Sequence, residues 1–276
     1  MPHSLVLLAA GLGTRFGSVK ALAPIGPDGE PLIALSIGQA RTVGFDDLTV
    51  VVTAQSRHDI AAAVGPDVRL VDQVGIGPER GTPWGTVAAL LAALADDGGC
   101  VVANGDDLYG ATALALAMGL LYRSRRPGPS ADAWLVGYRL DRTLSGSGAV
   151  SRAVARTDRA NRLIELHEHR GVARRSPDVI TDERGLDLAP DAVVSMNLWA
   201  LRPVAIRALR SAFATFVMEH PSDGAECGLP TELAALVESG TLVVEMATTD
   251  ADWVGVTWPG DVKLARSALR NDGPRK

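Results

Sequence analysis

Between Ser4 and about Arg126 the chain alternates short apolar runs with segments of helical spacing, and that alternation narrows the fold more than any other feature. Ser4–Ala10 (SLVLLAA) is a continuous apolar run that stops at a glycine cluster, as expected of a strand buried on both faces. Leu48–Thr53 (LTVVVT) and Val68–Val71 read as further strands, and Cys100–Ala103 as a fourth that ends at Asn104-Gly105-Asp106-Asp107. The intervening segments are helical. Pro31–Val43 carries Leu32, Ile33, Leu35, Ile37 and Ala40, Ser56–Val64 starts at a plausible N-cap serine, and Thr86–Ala95 and Thr112–Arg123 are rich in Ala or Leu. Strand–helix alternation of this kind predicts an α/β fold, with a mostly parallel sheet sandwiched by helices.

A chain of 276 residues, 47% hydrophobic and 21% charged, has enough apolar surface to bury a core without covalent staples. The reading is one domain over residues 1–276. The net charge of −5 and the lack of a Lys/Arg block argue against a nucleic-acid partner. Cys100 and Cys227 form neither a disulfide framework nor a zinc spacing, and Cys100 reads as a core residue. Met1–Ala10 lacks the basic flank of a signal peptide. Val87–Ala95 and Ala111–Leu121 are too short to span a bilayer. The expectation is a soluble cytoplasmic protein without a membrane partner, and a homo-oligomer is compatible with it.

Arg125–Ser130 (RRPGPS) punctuates the pattern. Beyond it, Ala133–Tyr138, Ala149–Arg156, Leu163–His167, Ala192–Leu201 and Thr241–Met246 read as strands. Pro203–Val217, Pro230–Glu238 and Pro259–Leu269 read as helices, and the polar stretch Gly171–Asp191 as a loop over the site.

Three segments carry chemistry. After the first strand, Gly11 and Gly13 allow backbone N–H groups to turn toward a phosphate, Arg15 offers a fork of donors, and Lys20 adds a mobile cation. A Walker loop is absent, and the third glycine of a dinucleotide fingerprint is replaced by Phe16. Gly85 and Thr86 open the third helix, with Thr86 read as its N-cap. Asp106 and Asp107 follow a buried strand, where ligands gather in parallel sheets. Adjacent acids there suit a hard cation such as Mg²⁺. His167 and His169 alternate on a strand without an evident third ligand, so a zinc site is not expected.

LAAGLGTRFG with Lys20 resembles the signature loop of the nucleotidyltransferases that make NDP-sugars and related activated alcohols, which share a GT-A-like fold. Val19 stands where many relatives have proline. Asn104-Gly105-Asp106-Asp107-Leu108-Tyr109-Gly110 resembles the Asn-Ala-Asp-Asp-Phe-Tyr-Gly stretch of one branch of that family. The resemblance is strongest over residues 5–20, 83–110 and 253–261. It implies a Mg²⁺-dependent transfer of a nucleotidyl group from a nucleoside triphosphate to a phosphorylated acceptor. The first choice of acceptor is a sugar 1-phosphate, as in NDP-sugar biosynthesis. Phosphocholine-like alcohols and phosphonates are close alternatives.

Carried onto this sequence, Leu8, Ala9, Ala10 and Gly11 line the base and ribose, Gly13, Thr14 and Arg15 hold the phosphates, and Lys20 assists transfer. Gly85 and Thr86 contact the base, with Gln73 also facing it. Arg15, Lys20 and Asp106 form the catalytic set, and Asp106 is the metal ligand beside a supporting Asp107. In the second half, read as an acceptor-binding extension over residues 127–276, Glu168 and Asn197 face the acceptor. Met196 and Trp199 read as core. Asp261 is the second metal ligand, with Thr257 competing for that place, and Glu226 with Leu229-Pro230 matches the same branch without an assigned role. A glycosyltransferase of similar fold, which usually carries Asp-x-Asp, and a non-catalytic nucleotide-binding regulator are the rival readings.

Overall fold

The computed structural model describes residues 3–11, 16, 19–73, 76–123, 130–221 and 224–271. Strands β1 (Ser4–Leu8), β2 (Asp47–Val52), β3 (Arg69–Asp72) and β4 (Cys100–Asn104) lie parallel in the order β4-β1-β2-β3. Helices α1 (Leu32–Val43), α2 (Arg57–Val64) and α3 (Thr86–Ala93) connect them. A two-residue strand β5 (Asp107–Leu108) and helix α4 (Ala111–Leu121) follow β4.

The second half adds β6 (Ala133–Arg139), β7 (Val150–Thr157), β8 (Leu163–Ser176), β9 (Val179–Thr181), β10 (Asp187–Leu188) and β11 (Val193–Leu201). Helices α5 (Pro203–Glu219) and α6 (Leu229–Glu238), strands β12 (Val244–Thr248) and β13 (Val254–Gly255), and helix α7 (Asp261–Asn271) complete the chain. The sheet continues from β4 through antiparallel β11, β7, β8, β9 and β10, while β6 pairs with both β11 and β12. The result is a mixed α/β fold whose central, parallel strands are flanked by helices.

Strand alternation builds both sides of this sandwich. Leu5 and Leu7 of β1 pack with Ile33 and Ile37 of α1, Ile60 of α2 and Leu114 of α4 in one cluster. Val6 and Leu8 face the opposite layer, with Leu90 of α3, Leu209 of α5 and Leu233 of α6. Each fully buried Leu, Ile or Val contributes about 1.5–3 kcal/mol, so the β1 run, apolar on both faces, is driven to the sheet centre. A smaller cluster joins Ile25, Leu32, Val256 and Ala265, and holds α7 and the β13 segment against the chain that follows Lys20.

Gly171–Asp191 is not a loop over the site. β8 runs on to Ser176 and pairs with β9, which pairs with β10, as an antiparallel extension at the sheet's edge. Val172 and Ile180 reach the core, but most of the other residues are exposed, so no period-two signal marks the strands. The Asp182 carboxylate fixes the turn by accepting from the N–H groups of Arg184 and Leu186 at 2.9 and 3.0 Å. Thr86 is likewise the first residue of α3 rather than its cap; Gly85 occupies that place.

The β1 and β4 ends are bound tightly to each other. Leu8 is in register with Asn104, and the Gly105 N–H donates to the Leu8 carbonyl at 2.8 Å. A Cβ on Gly105 would lie 2.7 Å from the Ala9 Cβ. Gly105→Ala is therefore expected to cost about 1–3 kcal/mol through overpacking. Urea unfolding measures this, and an unchanged midpoint contradicts the close approach of the two loops.

Candidate active site

Because β1 and β4 are parallel neighbours, the loops that leave their carboxyl ends meet. Ala9–Gly11 leave one strand and Asn104–Asp107 the other. A single 3₁₀ turn, Lys20–Leu22, then brings the Lys20 ammonium to 3.7 Å from the Asp106 carboxylate. The two side chains remain 22% and 34% exposed, so both open into the cleft instead of sealing each other off.

Two adjoining clefts meet at this ion pair. The larger, about 450 Å³, is lined by Leu8 to Gly11, Gln73, Gly85, Thr86 and Glu226. The smaller, about 290 Å³, is lined by Asp107, Arg152, Glu168, Asn197, Trp253 and Thr257. Lys20, Asn104 and Asp106 belong to both walls.

The smaller cleft exists because β11 is interrupted. Its residues 199–201 pair with β4 and residues 194–195 with β7, so Met196–Leu198 pair with neither. Against β6, three residues of β11 stand opposite the single Val136, a bulge that turns the strand. Asn197 sits there at φ 62°, a conformation that asparagine tolerates better than most residues. The Ser195 hydroxyl accepts the Asn197 N–H at 3.1 Å.

A chain of amides crosses the gap. Trp199 Nε1–H donates to Asn197 Oδ1 at 2.9 Å, Asn197 Nδ2 to Asn104 Oδ1 at 2.7 Å, and Asn104 Nδ2 to Asp107 Oδ2 at 2.9 Å. Tyr109 braces it from below, accepting the Asn104 N–H at 3.0 Å and donating to the Met196 carbonyl at 2.6 Å. Burial pushes the Asp107 carboxyl up to about 7, with Asp106 adding to the shift and Asn104 opposing it. Burial also raises Asp106, against the attraction of Lys20. Two adjacent acids held this way call for additional positive charge.

The far wall of the larger cleft is built from two segments distant in sequence. Gly85 adopts φ 95°, and a Cβ there would lie 2.6 Å from the Cys227 carbonyl oxygen. The Cys227 N–H donates to Trp84 O at 2.8 Å, and the Thr86 hydroxyl accepts the Leu229 N–H at 2.7 Å. Arg80 lies over the Trp84 ring and donates from Nη2 to both Pro83 O and Ala225 O at 2.6 Å. These contacts hold Gly85 and Thr86 opposite Glu226.

Of the residues singled out in the sequence, Leu8, Ala9, Ala10, Gly11, Lys20, Gln73, Gly85, Thr86 and Asp106 gather around the larger cleft, and Glu168 and Asn197 around the smaller. Gly13, Thr14 and Arg15 lie outside the described residues. Asp261 lines neither of these two clefts. It is 5% exposed, accepts Ser145 Oγ at 2.7 Å, and accepts the Thr257 and Trp258 N–H groups at 2.9 and 2.8 Å. Both of its oxygens are therefore engaged in tying the 257–258 turn to the start of α7, whereas Thr257 does line the smaller cleft.

Sequence reading passed over Arg152, Trp253 and Ser195, and left Glu226 without a role. Arg152 had a visible signal, an arginine between Val150 and Val154 on one face of a strand, where a charge needs a reason. Trp199 is core as expected, and its indole N–H also fixes Asn197.

Residues 5–137 match the profile of the MobA-like NTP transferase domain. Those residues carry that domain. Together with the solved structures described next, the match supports a nucleotidyltransferase, and the matched span includes both loops that form the Lys20–Asp106 pair. No curated protein sequence matches the transferase significantly. Solved structures share its fold. The CTP:phosphocholine cytidylyltransferase of Streptococcus pneumoniae superposes with a TM-score of 0.62 at 12% identity, covering 98% of this chain and 100% of that one. An inositol-1-phosphate CTP transferase from T. maritima gives 0.63 at 14% identity, covering 99% and 98%. A candidate glucose-1-phosphate thymidylyltransferase from Bacillus anthracis gives 0.67 at 14%, again covering 99% and 98%.

Asn104→Ala in this nucleotidyltransferase leaves the Asp107 carboxylate and the Asn197 amide each short of a partner. The expected cost is about 1–3 kcal/mol of stability, read from the urea midpoint, and a neutral substitution contradicts the amide chain.

Proposed function

We propose that the protein transfers a nucleoside monophosphate from a nucleoside triphosphate to a phosphorylated small-molecule acceptor and releases pyrophosphate. The observation that carries this reading is the bipartite cleft, with Lys20, Asn104 and Asp106 on the wall common to both parts. A triphosphate in the larger part places its α-phosphorus at that wall, and an acceptor in the smaller part approaches it from the other side. In this reading Gly85, Thr86 and Gln73 line the base, Leu8 to Gly11 the ribose and phosphates, and Glu168 and Asn197 the acceptor. Gly13, Thr14 and Arg15 complete the phosphate-binding turn.

An acceptor phosphate oxygen attacks the α-phosphorus in line, forming one P–O bond as the bond to pyrophosphate breaks. The nucleophile is already ionised, so no general base is needed. Positioning and charge neutralisation supply the rate. Lys20 offers a cation where charge accumulates on the leaving group.

Mg²⁺ fits the donor set in a limited sense. Among the described residues no group of three or more His, Cys, Asp or Glu side chains converges on one point. Asp106 presents one part-exposed carboxylate, the arrangement in which Mg²⁺ takes most of its ligands from substrate phosphates and water. Asp106 would hold it, with Thr257 better placed than Asp261 to assist. When bound, the ion neutralises triphosphate charge.

For the acceptor, two of the structural relatives are named for CTP and a phosphorylated alcohol and the third for a sugar 1-phosphate. A phosphorylated alcohol, with the sugar 1-phosphates included, is the class to test. A matrix of triphosphates against such acceptors, read by pyrophosphate release with Mg²⁺, is expected to give turnover with at least one pair. Asp106→Asn is expected to lower kcat by on the order of 10²–10³ or more while circular dichroism stays unchanged. Near-normal turnover in that variant rules out the role given to Asp106.

A further inference from the structure

Arg152 stands on β7 with only 8% of its surface exposed. A guanidinium keeps its proton in a protein, so its burial costs free energy unless acceptors or an anion answer it. Its partners here are neutral oxygens. Nε donates to Thr143 O at 3.1 Å and lies 3.2 Å from Thr143 Oγ1, Nη2 also donates to Thr143 O, and Nη1 donates to Ser151 O at 2.7 Å. Among the described residues no carboxylate pairs with it directly; Asp107 and Asp261 act on it only through longer-range attraction. Arginine has five N–H donors, so one N–H on each terminal nitrogen is left without an acceptor among the described residues.

The placement of this fork is specific. Ala153 of β7 is in register with Ser195, so Arg152 stands beside the unpaired stretch of β11 that contains Asn197. The guanidinium carbon lies 5.1 Å from the Trp253 ring centroid, a contact that restrains the plane of the group. Arg152 lines the smaller cleft together with Asp106 and Lys20. A buried cation, held rigid by carbonyls and with two donors to spare, is a receptor for an anion with two oxygens to offer.

We propose that Arg152 clamps the acceptor's attacking group, a phosphate monoester or phosphonate, by donating to two of its oxygens and leaving the third free to attack the α-phosphorus. The proposal rests on the transferase reading and adds the group that selects the acceptor's charge. An uncharged alcohol of the same shape is then a poor acceptor, because it leaves the guanidinium unanswered.

The test uses the full-length protein with a productive pair from the substrate matrix. Arg152→Gln is expected to raise the acceptor KM about 10–100-fold and move the triphosphate KM by less than about twofold, and Arg152→Lys, which keeps the charge but loses the fork, to fall between. Inorganic phosphate is expected to compete with the acceptor in the wild type and to lose that inhibition in Arg152→Gln. If Arg152→Gln fails to fold, Arg152→Lys and phosphate inhibition of the wild type decide the matter. An unchanged acceptor KM, a triphosphate KM that rises in parallel, or phosphate that does not compete with the acceptor overturns the clamp. These outcomes leave the transferase reading standing, whereas a wild type that releases no pyrophosphate with any pair removes that reading itself.

Discussion

The parallel pairing of β1 with β4 is the constraint on which the site depends. Its register sets Leu8 beside Asn104, so two loops more than ninety residues apart in sequence leave the sheet side by side. One loop leads to a cation and the other carries adjacent acids, and the Lys20–Asp106 pair is where they meet. Asp106 and Asp107 are too close to share a buried place at low cost. Asp107 is satisfied by Asn104, and Asp106 is left facing open space, Lys20 and whatever cation a ligand brings. A strand pair with apolar residues on both faces thus fixes the position of an electrostatic site.

The second half of the chain acts on this arrangement from the other side. β11 gives up pairing at Met196–Leu198, and the space so released is the smaller cleft. The interruption is held by specific bonds: Ser195 satisfies the Asn197 backbone, Trp199 and Asn104 satisfy its side chain, and Tyr109 takes the Met196 carbonyl. Short strand β13 pairs with β5, which lays Trp253 to Thr257 over Asp107 and closes the cleft. The ordered bulge borders the smaller cleft, and the regular strands border the larger.

Much of this was legible in the sequence, because the parallel half is written in apolar runs whose burial leaves little choice. The first four strands and the helices between them fall within a few residues of where periodicity places them, and Gly85, Thr86, Lys20 and Asp106, all singled out by motif, line one cleft. What was hidden depends on pairing over distance. The short β9–β10 extension sends only Ile180 and Leu188 toward the core, too little for a pattern, and the two-residue strand β13 is set by its partner β5. Asp261 stands where the motif resemblance implies a second metal ligand, yet its oxygens accept from Ser145 and from two backbone N–H groups. Arg152 carries a signal, an arginine on the same strand face as Val150 and Val154, but its place beside the cleft depends on the pairing of β7 with β11.

The central proposal is that a triphosphate in the larger cleft reaches the wall it shares with the smaller one, at Lys20 and Asp106. A crystal structure with a non-hydrolysable triphosphate analogue and Mn²⁺, the metal located by its anomalous signal, tests it most directly. The account predicts the base against Gly85 and Thr86, and the manganese on the Asp106 carboxylate in contact with the phosphates. Manganese bound away from Asp106, or a nucleotide seated outside the larger cleft, contradicts it.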